Sequence, residues 1–153
     1  MKTLSQQKFL QTLPDVLIPH LPQKLQTIQV RQPWRWIIQF HFGETRLHYE
    51  LSRVARREAW EIGFHFESND KQLNRFLLNG FRRHLFEIKD TLGESFEAEM
   101  WDKGWTKIYE VVPWKGIRLP IRPKLANAWQ RSLPACTPSL WICAARLHAS
   151  NDN

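Results

Sequence analysis

From residue 34 to residue 67, large apolar side chains fall at every second position in three successive runs. Trp34, Trp36, Ile38, Phe40 and Phe42 alternate with Arg35, Ile37, Gln39 and His41. Leu47, Tyr49 and Leu51 alternate with Arg46, His48, Glu50 and Ser52, and Trp60, Ile62, Phe64 and Phe66 alternate with Glu61, Gly63, His65 and Glu67. Successive side chains of a strand point to opposite faces, so each run has one face to bury and one to leave wet. Gly43-Glu44 suits a two-residue turn whose first position needs positive φ. With that turn Phe40 opposes Leu47, Ile38 opposes Tyr49 and Trp36 opposes Leu51, all on one side. Residues 34–52 therefore read as a β-hairpin with one buried face.

The period changes after Glu67. Residues 70–92 read as one long amphipathic helix, with Leu73, Phe76, Leu77, Gly80, Phe81, Leu85, Ile88 and Leu92 toward the core. Ser68 or Asn69 is the expected N-cap and Gly93 the expected stop, and Gly80 is expected to allow close approach to the sheet. A second hairpin follows around Asp102-Lys103-Gly104, with Trp101 facing Trp105 and Glu99 facing Lys107. Ahead of the sheet, residues 3–13 read as a helix ended by Pro14, and residues 24–31 as an edge strand. Behind it, residues 113–123 carry three prolines and read as extended, and residues 124–133 and 139–149 as helices.

The expected fold is a single α+β domain over residues 1–150. An antiparallel sheet of about five strands carries one long helix across its apolar face, with short terminal helices. An N-terminal strap (1–33) and a basic C-terminal extension (113–153) flank the sheet-helix-hairpin core (34–112).

The net charge is +7, and its placement matters more than its size. Residues 1–43 carry +4, residues 44–110 carry −2 and residues 111–153 carry +5. Basic ends favour polyanions. On a helix running through residues 70–92, Lys71, Arg75, Arg82 and Lys89 fall within about 40° of one another, with Leu78 and Phe86 on the same stripe. Arg53, Arg56 and Arg57 cluster in a connection, and Trp114, Lys115, Arg118, Arg122 and Lys124 mix an aromatic with cations and no acid. Cations hold phosphates and exposed aromatics stack on unpaired bases. These twelve residues are the candidate nucleic-acid contacts.

Several chemistries find no motif. The six glycines include no Gly-x-Gly-x-x-Gly and no phosphate loop, and no Gly-x-Ser-x-Gly occurs. Cys136 and Cys143 are too few for a disulfide framework or a complete zinc site and read as buried free thiols. The one Glu-x-Lys, Glu87-Ile88-Lys89, falls in a helix, and Asp15 lies in the strap, which is the wrong geometry for a metal-dependent nuclease. No cofactor is expected. The N-terminal residues lack the apolar stretch of a signal peptide and no run approaches a membrane span, so the expected location is cytoplasmic, away from membranes.

The polar face of the sheet is the remaining place for chemistry. His41, His48, Glu50, Glu61, His65 and Glu67 all lie on it, and pairing of the second and third runs would bring several together. His48, Glu50 and His65 are the candidate metal ligands, because imidazoles and carboxylates bind divalent ions. No compact metal-ligand spacing supports them, and Arg35 and Arg46 would compensate the carboxylates. The expected state of this face is therefore solvated and without metal.

The runs Leu47-His48-Tyr49-Glu50-Leu51 and Trp60-Glu61-Ile62-Gly63-Phe64-His65-Phe66-Glu67, with the helix and Trp101-Asp102-Lys103-Gly104-Trp105, resemble an uncharacterised bacterial domain family. Its members occur alone or beside nuclease-like domains. The resemblance covers residues 34–112 and implies a strand-strand-helix-hairpin core with no established activity. The leading functional expectation is a non-enzymatic module that contacts nucleic acid, or a nucleic-acid-handling or acidic protein partner, through its basic ends and helix stripe. The alternatives are an interaction subunit anchored by surface aromatics, self-association included, and a metal-dependent enzyme on the polar sheet face.

Overall fold

The computed structural model describes residues 5–113. They form an α+β fold around a six-stranded, fully antiparallel sheet. In chain order the elements are α1 (Gln6–Leu17), β1 (Gln29–Trp34), β2 (Ile37–His41), β3 (Leu47–Val54), β4 (Ala59–Phe66), α2 (Lys71–Arg83), α3 (Leu85–Leu92), β5 (Glu97–Met100) and β6 (Thr106–Pro113). The strands lie side by side in the order β1-β2-β3-β4-β6-β5. The helices expected at 124–133 and 139–149, and Cys136 and Cys143, lie outside the described residues.

One sheet face supplies the hydrophobic core. Ile38, Phe40, Tyr49, Leu51, Trp60, Ile62, Phe64, Phe66 and Ile108 are all buried there. Two helices cover this face. From α1, Phe9 packs its ring 5.7 Å from Trp60. From α2, Phe81 stacks on Phe66 at 5.4 Å and meets Phe64 edge-on at 6.0 Å. Each buried aromatic of this kind contributes roughly 1.5–3 kcal/mol of transfer free energy.

The second hairpin and the third run match their expectations. β5 and β6 pair through Glu99↔Lys107, and Trp101 donates its N–H to the Trp105 carbonyl. Elsewhere the structure corrects the sequence reading. The first alternating run is interrupted by a turn at Arg35 and Trp36, so β1 and β2 form the first hairpin and Trp34 and Trp36 flank its tip. β2 and β3 pair as Phe40↔Tyr49 and Ile38↔Leu51, two residues away from the expected register. The loop beyond Gly43 is longer than two residues. A shift of two preserves which face each side chain takes, so the apolar side remains apolar.

The long helix is two helices. At His84 the backbone leaves the helical region (φ −110°, ψ 19°), and α3 starts after it as a separate helix. Leu78, expected on the surface stripe, is buried, while Phe76, expected in the core, is exposed. Nothing lies within 4 Å of a side chain built on Gly80, so this glycine does not mediate close packing. Asp70 is the N-cap, accepting from the N–H groups of Gln72 and Leu73. Pro14 sits inside α1 instead of ending it. Among the described residues no helix is long and apolar enough to cross a membrane.

Candidate metal centre on the polar face of the sheet

The register of β3 against β4 builds the site. His48 lies opposite His65, and Glu50 opposite Gly63. The next strand places Lys107 beside His65 and Tyr109 beside Gly63. Period-two geometry therefore gathers His48, Glu50, His65 and Glu67 on one side, with Gln39 joining from β2 across from Glu50. One ligand atom from each of His48, Glu50, His65 and Glu67 can be chosen so that all four lie within 4.8 Å of one another.

This face is not solvated, which corrects the expectation from sequence. His48 is 1% exposed and His65 2%, and Gln39, His41, Glu50 and Lys107 are buried as well. Trp101 meets His65 edge-on at 6.0 Å. The Lys107 ammonium lies 4.0 Å from the Tyr109 ring centre and 5.4 Å from that of Trp101. Trp101 thus covers His65, and Lys107 packs between the Trp101 and Tyr109 rings beside it.

His48 is held in the orientation of a metal-ligating histidine. Its Nδ1 lies 2.8 Å from the Thr45 carbonyl oxygen, which can only accept, so Nδ1 carries the proton. Nε2 then faces Gln39 and Glu50: protonated, it donates to the Glu50 carboxylate, and once that proton is lost it offers a lone pair to the cluster, as second-shell carbonyls arrange it at metal sites. The Gln39 amide nitrogen sits 3.0 Å from this Nε2 and donates to Glu50 Oε2 at 2.9 Å. His48 Nε2 and Glu50 Oε2 are 3.3 Å apart. Burial alone would push the Glu50 carboxyl up. The His48 hydrogen bond, the charge of His65 and the Gln39 amide outweigh it and hold the group at about 2.

His65 lies between two carboxylates. Its Nδ1 is 3.4 Å from Glu67 Oε1 and its Nε2 is 3.3 Å from Glu61 Oε1. The second contact is close enough for charge attraction, but Nε2 has no hydrogen bond of acceptable geometry despite its burial. Burial disfavours the charged ring, yet the paired carboxylates of Glu61 and Glu67 and the charge of Glu50 raise it to about 9. Lys107 bonds Glu61 at 2.8 Å and reaches Glu99 at 3.7 Å, so the expected Glu99 pair forms and Glu61 is the closer partner. Three mostly buried carboxylates, Glu50, Glu61 and Glu67, face two cationic groups, His65 and Lys107. The balance is anionic.

Gly63 leaves the space that the cluster needs. A Cβ there would stand 2.8 Å from the Ile108 carbonyl oxygen and from Tyr109 Cβ, and 3.3 Å from His65 Nε2. The glycine allows close strand contact and keeps the side of the unsatisfied nitrogen clear. His41 is buried on the same sheet, but its Nδ1 accepts from the Gly43 N–H, and it is not one of the four.

Of the basic residues singled out from sequence, those described lie on four elements. Arg53 is the penultimate residue of β3, and Arg56 and Arg57 lie exposed on a one-turn 3-10 segment before β4. Lys71, Arg75 and Arg82 lie on α2, but the break at His84 puts Lys89 on a different helix, so the continuous stripe is lost. Arg82 ties α2 to β5 by donating to the Ala98 carbonyl at 3.1 Å. Trp114, Lys115, Arg118, Arg122 and Lys124 lie outside the described residues. Sequence reasoning passed over Gln39, hidden in the apolar run of β2, and Lys107, read only as a cross-strand partner of Glu99. Their parity in the alternation was the available signal. No family model matches the chain, and neither does any curated protein or solved structure.

Proposed function

We propose that this domain binds a divalent transition-metal ion on the polar face of its sheet, with His48, Glu50, His65 and Glu67 as the protein ligands. The observation that carries the reading is the convergence of these four donors at a largely buried place, with one ligand atom from each within 4.8 Å of the others. Two imidazoles and two carboxylates form a mixed nitrogen-oxygen set of the kind zinc, manganese, iron, cobalt and nickel accept. The anionic balance of the cluster favours a cation, and the Thr45 carbonyl supplies the outer hydrogen bond that orients His48. A metal would add a Lewis-acid centre to a face that also holds Lys107 and Tyr109.

The test is metal content and stability of the whole chain. Protein stripped with chelator is dialysed against zinc, manganese, cobalt or nickel and analysed by elemental mass spectrometry. One ion per chain is expected. Free metal at a hundred times its dissociation constant should stabilise the fold by about 2.7 kcal/mol. His48→Ala together with Glu67→Gln should abolish both effects. Metal below one tenth of an equivalent for all four ions, or uptake unchanged in that variant, contradicts the reading.

A further inference from the structure

A second feature stands apart from the polar face. At the β1–β2 tip, Trp34 and Trp36 stack at 5.8 Å with their planes 8° apart. Trp34 is nonetheless 60% exposed and Trp36 41%. The Arg35 guanidinium lies over the Trp36 ring at 5.7 Å. Beside the pair runs an open cleft of about 430 Å³, lined by Gln6, Gln7, Arg35, Trp36, Arg53 and Ala55. None of the six is acidic. The Arg53 N–H donates to the Trp36 carbonyl, so the end of β3 and the hairpin tip are held together. Exposed Arg56 and Arg57 continue from Ala55. The first turn of α1, which supplies Gln6 and Gln7, contains no carboxylate to cancel the positive end of its dipole.

Leaving two indoles at the surface sacrifices apolar burial, and neither ring is needed by the core. An aromatic stack against a cleft with two arginines and no acid among its described lining residues matches one ligand chemistry: planar bases joined by phosphates. Bases stack on indole faces whatever their sequence, and guanidinium groups pair with phosphate oxygens. An acidic polypeptide would use the arginines but not the indoles. A duplex hides its base faces.

We infer that the β1–β2 tip and its cleft bind single-stranded nucleic acid, with Arg35 and Arg53 on the backbone phosphates and the Trp34–Trp36 stack on the bases. The site is distinct from the candidate metal ligands and does not depend on metal.

The experiment is a fluorescence-anisotropy titration of a labelled dodecamer of deoxythymidine with the full chain at several salt concentrations. Trp34→Ala is expected to weaken binding roughly 5- to 150-fold, the range for losing one stacked base. Arg35→Ala with Arg53→Ala should lower the slope of log affinity against log salt by about 1.4, for two phosphate contacts on a single strand. Arg35→Ala alone guards against misfolding of the double variant and should lower the slope by about 0.7. Thermal melts should match wild type for Trp34→Ala and Arg35→Ala. Competition by adenosine monophosphate, a duplex dodecamer and a glutamate dodecamer should be at least tenfold weaker than by the unlabelled strand. Four results each overturn the inference. They are wild-type affinity in Trp34→Ala, equal competition by the mononucleotide, equal competition by the acidic peptide, and loss of binding only when Lys115, Arg118, Arg122 and Lys124 are neutralised.

Discussion

The two faces of β3 and β4 are buried to a similar degree and are built from opposite materials. On one side Tyr49, Leu51, Trp60, Phe64 and Phe66 pack against α1 and α2. On the other, His48, Glu50 and His65 are excluded from water with Gln39 and Lys107. The apolar face needs no partner beyond its own packing, because burial itself is favourable there. The polar face incurs a desolvation penalty at every group, and its charged groups stay ionised only because their partners offset that penalty. The proposed cation would account for the cluster's composition and its charge together.

This contrast can be broken by substitution. On the apolar face Phe66→Ala is expected to cost about 3–5 kcal/mol in chemical denaturation, from lost transfer energy and the cavity left behind. On the polar face Lys107→Met should cost nearly as much, about 3 kcal/mol, because Glu61 is left largely buried without its 2.8 Å partner. The difference lies in the double variant. Removing Glu61 as well, in Glu61→Leu/Lys107→Met, should recover most of that loss, as replacing a buried pair by apolar groups usually does. No second substitution that removes another ring should rescue Phe66→Ala. A double variant as unstable as Lys107→Met alone would show that the network is supporting the fold.

Gly63→Ala sharpens the comparison at a single atom. Its Cβ would enter a space where the Ile108 carbonyl and Tyr109 stand at 2.8 Å. Overpacking of this kind costs about 1–3 kcal/mol. Ala59→Gly, on the same strand, is expected to cost about 1 kcal/mol at most. Equal and small losses in both would mean that the strands can spread at Gly63.

The smallest expected effect is on pH dependence, measured by urea unfolding in chelator. Folded Glu50 stays ionised down to about 2, against an ordinary value of 4.5. Between those values the unfolded chain binds more protons, so the Glu50 contribution is complete above 4.5 and fades as pH falls toward 2. His65 behaves oppositely. Its folded value is raised from 6.5 to about 9, so its contribution is complete below 6.5 and is lost as pH rises through 9. Glu50→Gln should flatten the acid limb and, because the Glu50 charge helps to raise His65, weaken the alkaline limb without removing it. A profile identical to wild type would separate Glu50 from the coupling.

Much of the sheet was legible in the sequence because strand parity is a strong signal. The faces of β3 and β4, the Asp102-Lys103-Gly104 hairpin and the Glu99–Lys107 pair follow from alternation and turn chemistry. Parity is blind to shifts of two, which is why the β2–β3 register slipped without moving any side chain to the wrong face. It is also blind to a turn that continues the alternation. Trp34 and Trp36 keep the period of Ile38 and Phe40, yet the chain reverses at Arg35 and Trp36, and the indoles end at the surface. The break at His84 carries no glycine or proline to mark it. The candidate site was half legible. Alternation put His48, Glu50, His65 and Glu67 on one face, but the sequence pattern says nothing of what covers that face, and a polar face defaults to solvent.

The central claim concerns two nitrogens and is tested most directly by long-range proton-nitrogen NMR of the six histidines while zinc is added to the stripped protein. The imidazole signals of His48 and His65 should move together to metal-bound positions and saturate at one equivalent, the His48 Nε2 signal among them. Those of His20, His41, His84 and His148 should stay in place. Saturation on any other histidine pair, or no change in His48 and His65 at excess zinc, would contradict the account.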